Sequence, residues 1–146
     1  ISEDNGSGNG KGTLLTESFG NVVTDPEDGG FLGAEVGSNN TAELSAIAHA
    51  LRWVIREKEV EAAIVRSDST YALNIASGTW RAKANQELAR RVSSLWREVS
   101  DLIILRGEHV SAHTGHRWNE RADHLAFRAM KGDSPLPLQF WKPGKR

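Results

Sequence analysis

Three carboxylates stand where an acid is expensive. Glu43 falls four residues before Ile47 and seven before Ala50, close to an apolar helical stripe. Asp68 closes the short apolar run Ala62-Ala63-Ile64-Val65-Arg66-Ser67. Asp123 follows Ala122, the first member of a stripe that continues through Leu125, Ala126, Ala129 and Met130. A carboxylate at the margin of a buried face is costly unless something positive holds it. Each also has a plainer reading, as a helix N-cap or an acid favoured by the helix dipole. Asp4 joins them as a fourth acid if residues 1–4 close a first strand. Carboxylates gathered together repel, and each raises its neighbours' pKa unless cations neutralise them. Hard divalent ions do so through oxygen ligands, and Mg²⁺ needs few protein carboxylates because it keeps water and substrate phosphate. Two such ions about 3.5–4 Å apart activate a water and steady a leaving oxygen. The residue types therefore point to metal-assisted hydrolysis of a phosphodiester. Spacing alone leaves open whether the acids converge.

The composition fits that chemistry without demanding it. A chain of 146 residues, 38% hydrophobic and 25% charged, has the make-up of one ordinary globular domain with room for a core. The absence of cysteine removes disulfides, zinc–thiolate centres and thiol nucleophiles, so any metal must be held by oxygen or imidazole. There is no apolar run of membrane-spanning length, and no signal segment is read at the start, so an intracellular location is expected. The net charge of −1 hides an asymmetry: residues 1–50 carry eight acids and one base, whereas 51–146 carry eleven acids and seventeen bases. A basic later half suits a polyanionic partner, although solvated helix faces explain it as well.

The elements that must position these acids follow from periodicity and punctuation. Residues 1–12 are glycine-rich and polar, and read either as a mobile tail or as the end of a strand followed by a turn. Residues 12–16, 21–24 and 31–37 read as short strands broken by turns, an antiparallel meander. Leu44, Ile47, Leu51, Val54 and Ile55 mark a helix with Ser38 to Thr41 offering caps. Residues 62–67 form a strand; Asp68 at its carboxyl end opens a helix stopped by Gly78. Trp80 to Asn85 is a basic connector. The next helix turns Leu88, Val92, Leu95, Trp96 and Val99 inward and Arg90, Arg91 and Arg97 outward. Residues 102–105 and 109–112 make the last strand region, with Gly107 as a bulge or turn within it. A final helix runs from about Asn119 to Met130, and a proline-rich, basic segment, 134–146, follows a domain of 1–133. Its Phe140 and Trp141 are candidates for packing back on the domain. The order predicts an α/β fold with a mixed sheet, parallel in its second half because the crossovers are long and helical.

Three segments carry a resemblance. Ser38-Asn39-Asn40-Thr41-Ala42-Glu43-Leu44, Ser67-Asp68-Ser69-Thr70-Tyr71, and His113-Thr114-Gly115-His116 through Asn119-Glu120-Arg121-Ala122-Asp123 resemble ribonuclease H of type 1, in that family's order and near its spacings. The resemblance spans about Phe31 to Met130 and more loosely reaches the start of the chain. It implies an RNase H-like five-stranded mixed sheet, strand order 3-2-1-4-5, with helices on both faces. It implies cleavage of the RNA strand of RNA–DNA hybrids with two Mg²⁺ ions, Mn²⁺ being a substitute, leaving 5′-phosphate and 3′-hydroxyl ends, in a chain expected to act as a monomer. Carried over, Glu43, Asp68 and Asp123 match catalytic metal ligands, and His113 matches a loop histidine that aids proton transfer or product release. Asn39 and Asn40 match contacts across the hybrid's minor groove, where a 2′-hydroxyl marks RNA. Ser38, Ser69 and Asn85 resemble positions near a DNA-phosphate pocket. Asn119 resembles a polar contact near the site, with helix capping as the alternative. Trp80 is a stacking or groove candidate, with core packing as the alternative.

The departures fall mainly at the amino end. The family's first acid lies in an Asp-Gly-Ser strand; here Asp4, thirty-nine residues before Glu43, stands in Glu-Asp-Asn-Gly-Ser with only three residues ahead of it, so a truncated first strand is expected. The stretch from Gly78 to Asn85 lacks the lysine-rich protruding helix of some relatives, leaving Arg81, Lys83, Arg90 and Arg91 to meet substrate. Two alternatives stay open: another nuclease of the superfamily, or an inactive nucleic-acid-binding or scaffolding domain without a properly placed first Asp.

Overall fold

The computed structural model describes residues 1–4, 6, 10, 12–57, 59–111 and 115–144. The chain divides into two compact units, Val22–His109 and a second made of Ile1–Asn21 with Val110–Arg146.

The first unit is built from three amphipathic helices and a strand pair. Helix α1 (Asn39–Arg56) begins at Ser38, whose side chain accepts from the Thr41 amide at 3.2 Å while the Thr41 hydroxyl accepts from the Ser38 amide at 2.8 Å. This reciprocal capping box satisfies donors that the first turn leaves without partners. Strand β1 (Ala62–Ser67) leads into α2 (Thr70–Ala76), which Ser69 caps through the Ala72 amide at 3.1 Å. Gly78, at φ 82°, carries the chain out of α2, and α3 (Gln86–Leu102) returns it to strand β2 (Ile104–His109). The two strands run parallel, with Ala62 opposite Ile104 and Ser67 opposite His109. Only a long crossover permits that direction, and α2 and α3 supply it.

The predicted stripes form the core of this unit. Leu44, Ile47 and Leu51 of α1, Ala72 and Ile75 of α2, and Leu88, Val92, Trp96 and Val99 of α3 are buried together, with Val54, Ile55 and Leu95 at the margin. Gly107 does not interrupt the last strand, contrary to the bulge expected there. It pairs with Val65 inside a continuous β2, and a Cβ on it would lie 3.2 Å from both Leu73 Cδ2 and Trp96 Cη2. Its missing side chain makes room for the helices packed on the strand.

The expected front meander takes a different form. Among the described residues the sheet has two strands, and the only pairing ahead of α1 is an antiparallel bridge between Ser2 and Leu14. Residues 31–37 reach the core without a ladder: Leu32 and Ala34 are buried, and Gly33 turns at φ 105° against the start of α3. A Cβ there would stand 2.7 Å from the Leu88 amide nitrogen, so close approach of two backbones replaces strand pairing.

The second unit is organised on α4 (Arg117–Lys131). Its buried positions are Glu120, Arg121, His124, Leu125 and Ala129, whereas Ala122, Ala126 and Met130 are exposed. The apolar stripe expected through those three alanine and methionine positions is therefore rotated. The reason is a polar seam. Arg121 makes a two-pronged pair with Glu17, Nε to Oε2 at 2.9 Å and Nη2 to Oε1 at 2.7 Å, and donates to the Leu136 carbonyl at 2.9 Å. His124 Nε2 accepts from the Leu136 amide at 3.0 Å, which fixes its ring as the Nδ1–H tautomer when neutral. Trp141 is 3% exposed and lies under the guanidinium groups of Arg117 and Arg121, each 5.4 Å from its ring centre. The segment after α4 thus packs back through Trp141, while Phe140 stays exposed.

Candidate active site

The carboxyl end of β1 is where the sequence-predicted residues of the first unit gather. Asp68 follows the last strand residue, half-buried, at the edge where parallel α/β sheets present ligands. Glu43 sits one turn into α1, also half-buried. Ser67 joins them. It is buried at the strand end; its hydroxyl lies 3.4 Å from Glu43 Oε2 and accepts from the Ser69 amide at 3.0 Å. Across the strand pair, His109 Nε2 stands 3.2 Å from the Asp68 carbonyl oxygen. His109 also lines a cavity of about 300 Å³ with Thr70, Leu73, Asn74, Ser77 and Gly107. Neither Ser67 nor His109 was singled out from sequence as a site residue. The signal for Ser67 was its place inside the Ser-Asp-Ser segment.

The polar positions near these acids have defined partners. Ser38 and Ser69 are both helix caps, as their types allow. Asn39 and Asn40 are exposed in the first turn of α1, immediately before Glu43's turn. Asn85 precedes α3 at φ 51° without capping it; its Oδ1 accepts from the Glu35 amide at 2.8 Å and ties that loop to the helix start. Trp80 is half-exposed, so core packing is not its role. Arg81, Lys83, Arg90, Arg91 and Arg97 are exposed on the connector and outer face of α3.

Asp4 and Asp123 belong to the second unit. Glu3 donates its amide to the Thr13 carbonyl at 2.8 Å, and Leu15 and Thr16 donate to the Ile1 carbonyl. Asp4 ends this paired stretch, its Oδ1 accepting from the Gly6 amide at 3.3 Å. Further along, Trp118 Nε1 donates to the Gly12 carbonyl at 2.7 Å, and a Cβ on Gly10 would fall 2.5 Å from the His116 ring. Gly10 and Gly12 are thereby fitted against the start of α4. Asp123 is half-buried on that helix, two residues beyond Arg121. Asn119 does not cap α4. His116 does, its Nδ1 accepting from the Asn119 amide at 3.1 Å. His113 lies outside the described residues.

Each candidate ligand offers only carboxylate oxygen, a donor set that suits a hard divalent ion such as Mg²⁺ or Mn²⁺ and not a soft one. Among the described residues, no group of three or more acidic or imidazole side chains is clustered tightly enough to define a metal centre.

A parallel strand pair joined by a helical crossover, with acids at its carboxyl edge, defines an α/β protein, the class in which ligands are commonly presented at that edge. The family model for RNase H matches residues 5–131. The Ribonuclease H of Syntrophomonas wolfei is 34% identical over 118 residues, covering 68% of this chain and 74% of that protein. The Ribonuclease H of Tropheryma whipplei is 29% identical over 125 residues, covering 77% of this chain and 74% of its own. Among solved structures, RNase H1 from the halophilic archaeon Halobacterium salinarum aligns with a TM-score of 0.52 at 28% identity, covering 66% of this chain and 70% of that one. The chain belongs to the RNase H family, and with it to the hydrolases that act as nucleases.

Proposed function

We propose that this chain cuts the RNA strand of RNA–DNA hybrids by metal-assisted hydrolysis, leaving 5′-phosphate and 3′-hydroxyl ends. The observation that carries the reading is the junction at the end of β1, where Ser67 brings Glu43 of α1 to the turn bearing Asp68 in a chain of this family. In this reading the four acids Asp4, Glu43, Asp68 and Asp123 would be the ligands of two Mg²⁺ ions, for which Mn²⁺ can substitute. Such ions supply charge neutralisation at the scissile phosphate and a more acidic attacking water. The protein's own part is positioning. The cap at Ser38 fixes the start of the helix that carries Glu43, and the cap at Ser69 fixes the turn that carries Asp68. Asn39 and Asn40, exposed one turn earlier, would read the minor groove, where donors distinguish a 2′-hydroxyl from hydrogen.

His113 would carry a proton or help product leave, as imidazole can near neutral pH. Ser38, Ser69 and Asn85 would meet the DNA-strand phosphate, Asn119 the substrate near Asp123, and Trp80 a base or groove wall. Arg81, Lys83, Arg90 and Arg91 would bind phosphates, so affinity should fall as salt rises. The same reading assigns a five-stranded sheet of order 3-2-1-4-5 to the complete fold, residues 1–133 to the catalytic domain and 134–146 to its appendage, in a monomer acting inside the cell. Among the described residues no helix is long and apolar enough to cross a membrane.

The test is cleavage of a labelled hybrid in Mg²⁺ by the wild type, Asp68→Asn and Asp4→Asn. Both variants should lose at least a hundredfold in rate, and duplex DNA should remain uncut. Full activity of Asp68→Asn, or equal cutting of duplex DNA, refutes the reading. Loss in Asp68→Asn alone removes Asp4 from the ligand set.

A further inference from the structure

We infer that Ser67 is a positioning residue, whose buried hydroxyl sets Glu43 against the turn that carries Asp68. The inference rests on the reading of Glu43 and Asp68 as site residues and adds a group that touches neither substrate nor ion. A serine hydroxyl has one proton to donate and lone pairs to accept with. Here the proton is directed at Glu43 Oε2, 3.4 Å away, and the oxygen accepts the Ser69 amide at 3.0 Å. One atom therefore connects a side chain of α1 to the backbone between β1 and α2, although Glu43 and Ser67 are 24 residues apart in the chain.

Burial makes this connection selective. Ser67 is 6% exposed and is the only buried residue of β1, so little water can replace the hydroxyl if it is removed. A bond to an ionised carboxylate is stronger than one between neutral groups, and a buried donor left without an acceptor is costly. Removing the hydroxyl takes a donor from the Glu43 carboxylate and an acceptor from the Ser69 amide at the same moment. The strand backbone survives because Ser67 is in register with His109, and that register depends on main-chain bonds. His109 adds a second hold on the same turn, through the Asp68 carbonyl at 3.2 Å. Loss of the Ser67 hydroxyl should thus disturb the direction of the Glu43 carboxylate more than the fold.

Threonine and valine separate hydroxyl from shape, since they differ in one atom group at equal branching. Ser67→Val and Ser67→Ala should lower kcat on a hybrid about tenfold with KM within twofold, and raise the half-saturating Mg²⁺ concentration several-fold. Ser67→Thr should recover most of both. In the absence of substrate, Mn²⁺ binding followed by electron paramagnetic resonance should weaken in Ser67→Val and Ser67→Ala but not in Ser67→Thr. Melting curves identify any variant that fails to fold; Ser67→Ala, which removes bulk instead of adding it, then carries the comparison. Equal behaviour of the threonine and valine variants, or wild-type kinetics and ion binding in Ser67→Ala, overturns the inference. Glu43→Gln separates the two levels. An inactive Glu43→Gln beside a fully active Ser67→Ala removes only Ser67's role, whereas an active Glu43→Gln removes the site reading and Ser67's role together.

Discussion

Removal of the Glu17 carboxylate should loosen the unit that holds α4, and the size of the effect follows from its partners. The Arg121 side chain is 4% exposed and that of Glu17 is 28% exposed. Two charge-assisted hydrogen bonds join them, at 2.9 and 2.7 Å. Bonds of this type contribute about 1.5–3 kcal/mol each when buried. Water reaching the partly exposed Glu17 offsets some of that, so Glu17→Ala should cost about 3 kcal/mol. Arg121→Ala also loses the bond to the Leu136 carbonyl and the contact over Trp141, and should cost about 4 kcal/mol. The double variant should cost little more than Arg121→Ala, a coupling of about 2–3 kcal/mol. Urea unfolding followed by tryptophan fluorescence reads this directly. With a slope near 2 kcal/mol per molar, Glu17→Ala should move the midpoint down by about 1.5 M. The pH dependence has a fixed sign. The hydrogen bonds from Arg121 hold the Glu17 carboxyl below its ordinary 4.5 and outweigh the opposing effect of burial. Its contribution to stability is therefore complete above that pH and is lost as pH falls through the lower, folded-state value. Glu17→Gln should remove this acid-side dependence. A midpoint for Glu17→Ala within about 0.25 M of wild type, or strict additivity in the double variant, would show that the seam does not hold α4.

Other expectations follow from single positions. Gly33→Ala places a methyl 2.7 Å from the Leu88 amide nitrogen at a φ of 105°, and should cost at least about 2 kcal/mol by urea unfolding; a neutral result would contradict the close approach. Trp141→Ala removes a ring that is 3% exposed, packed against His124 and under two guanidinium groups, and should cost about 3–5 kcal/mol. His49 should titrate below its ordinary 6.5 in an NMR pH series, because burial and then the nearby Arg52 and Arg56 charges disfavour its protonated form. Its contribution to stability is present above pH 6.5 and declines as pH falls through the depressed value; a midpoint at or above 6.5 would contradict that environment.

The sequence by itself determined what neighbours along the chain can decide. The faces of α1 and α3 follow from side chains three and four residues apart, and the predicted inward residues are those in the core. The cap at Ser38 and the stop at Gly78 are local chemistry of the same kind, as is Asp68 at the end of a short apolar strand. Tertiary structure decided whatever depends on a distant partner. Arg121 and His124 are buried because Glu17 stands 104 residues away and Leu136 returns to meet them, and no period within α4 contains that information. Gly107 reads as a bulge until Leu73 and Trp96 are seen to need its empty space. Ser67 reads as a strand end until Glu43 arrives from another helix to share its hydroxyl. Short-range periodicity sets which side of a helix is apolar, but the burial of a polar group is favourable only where a partner meets it, and folding alone brings that partner near.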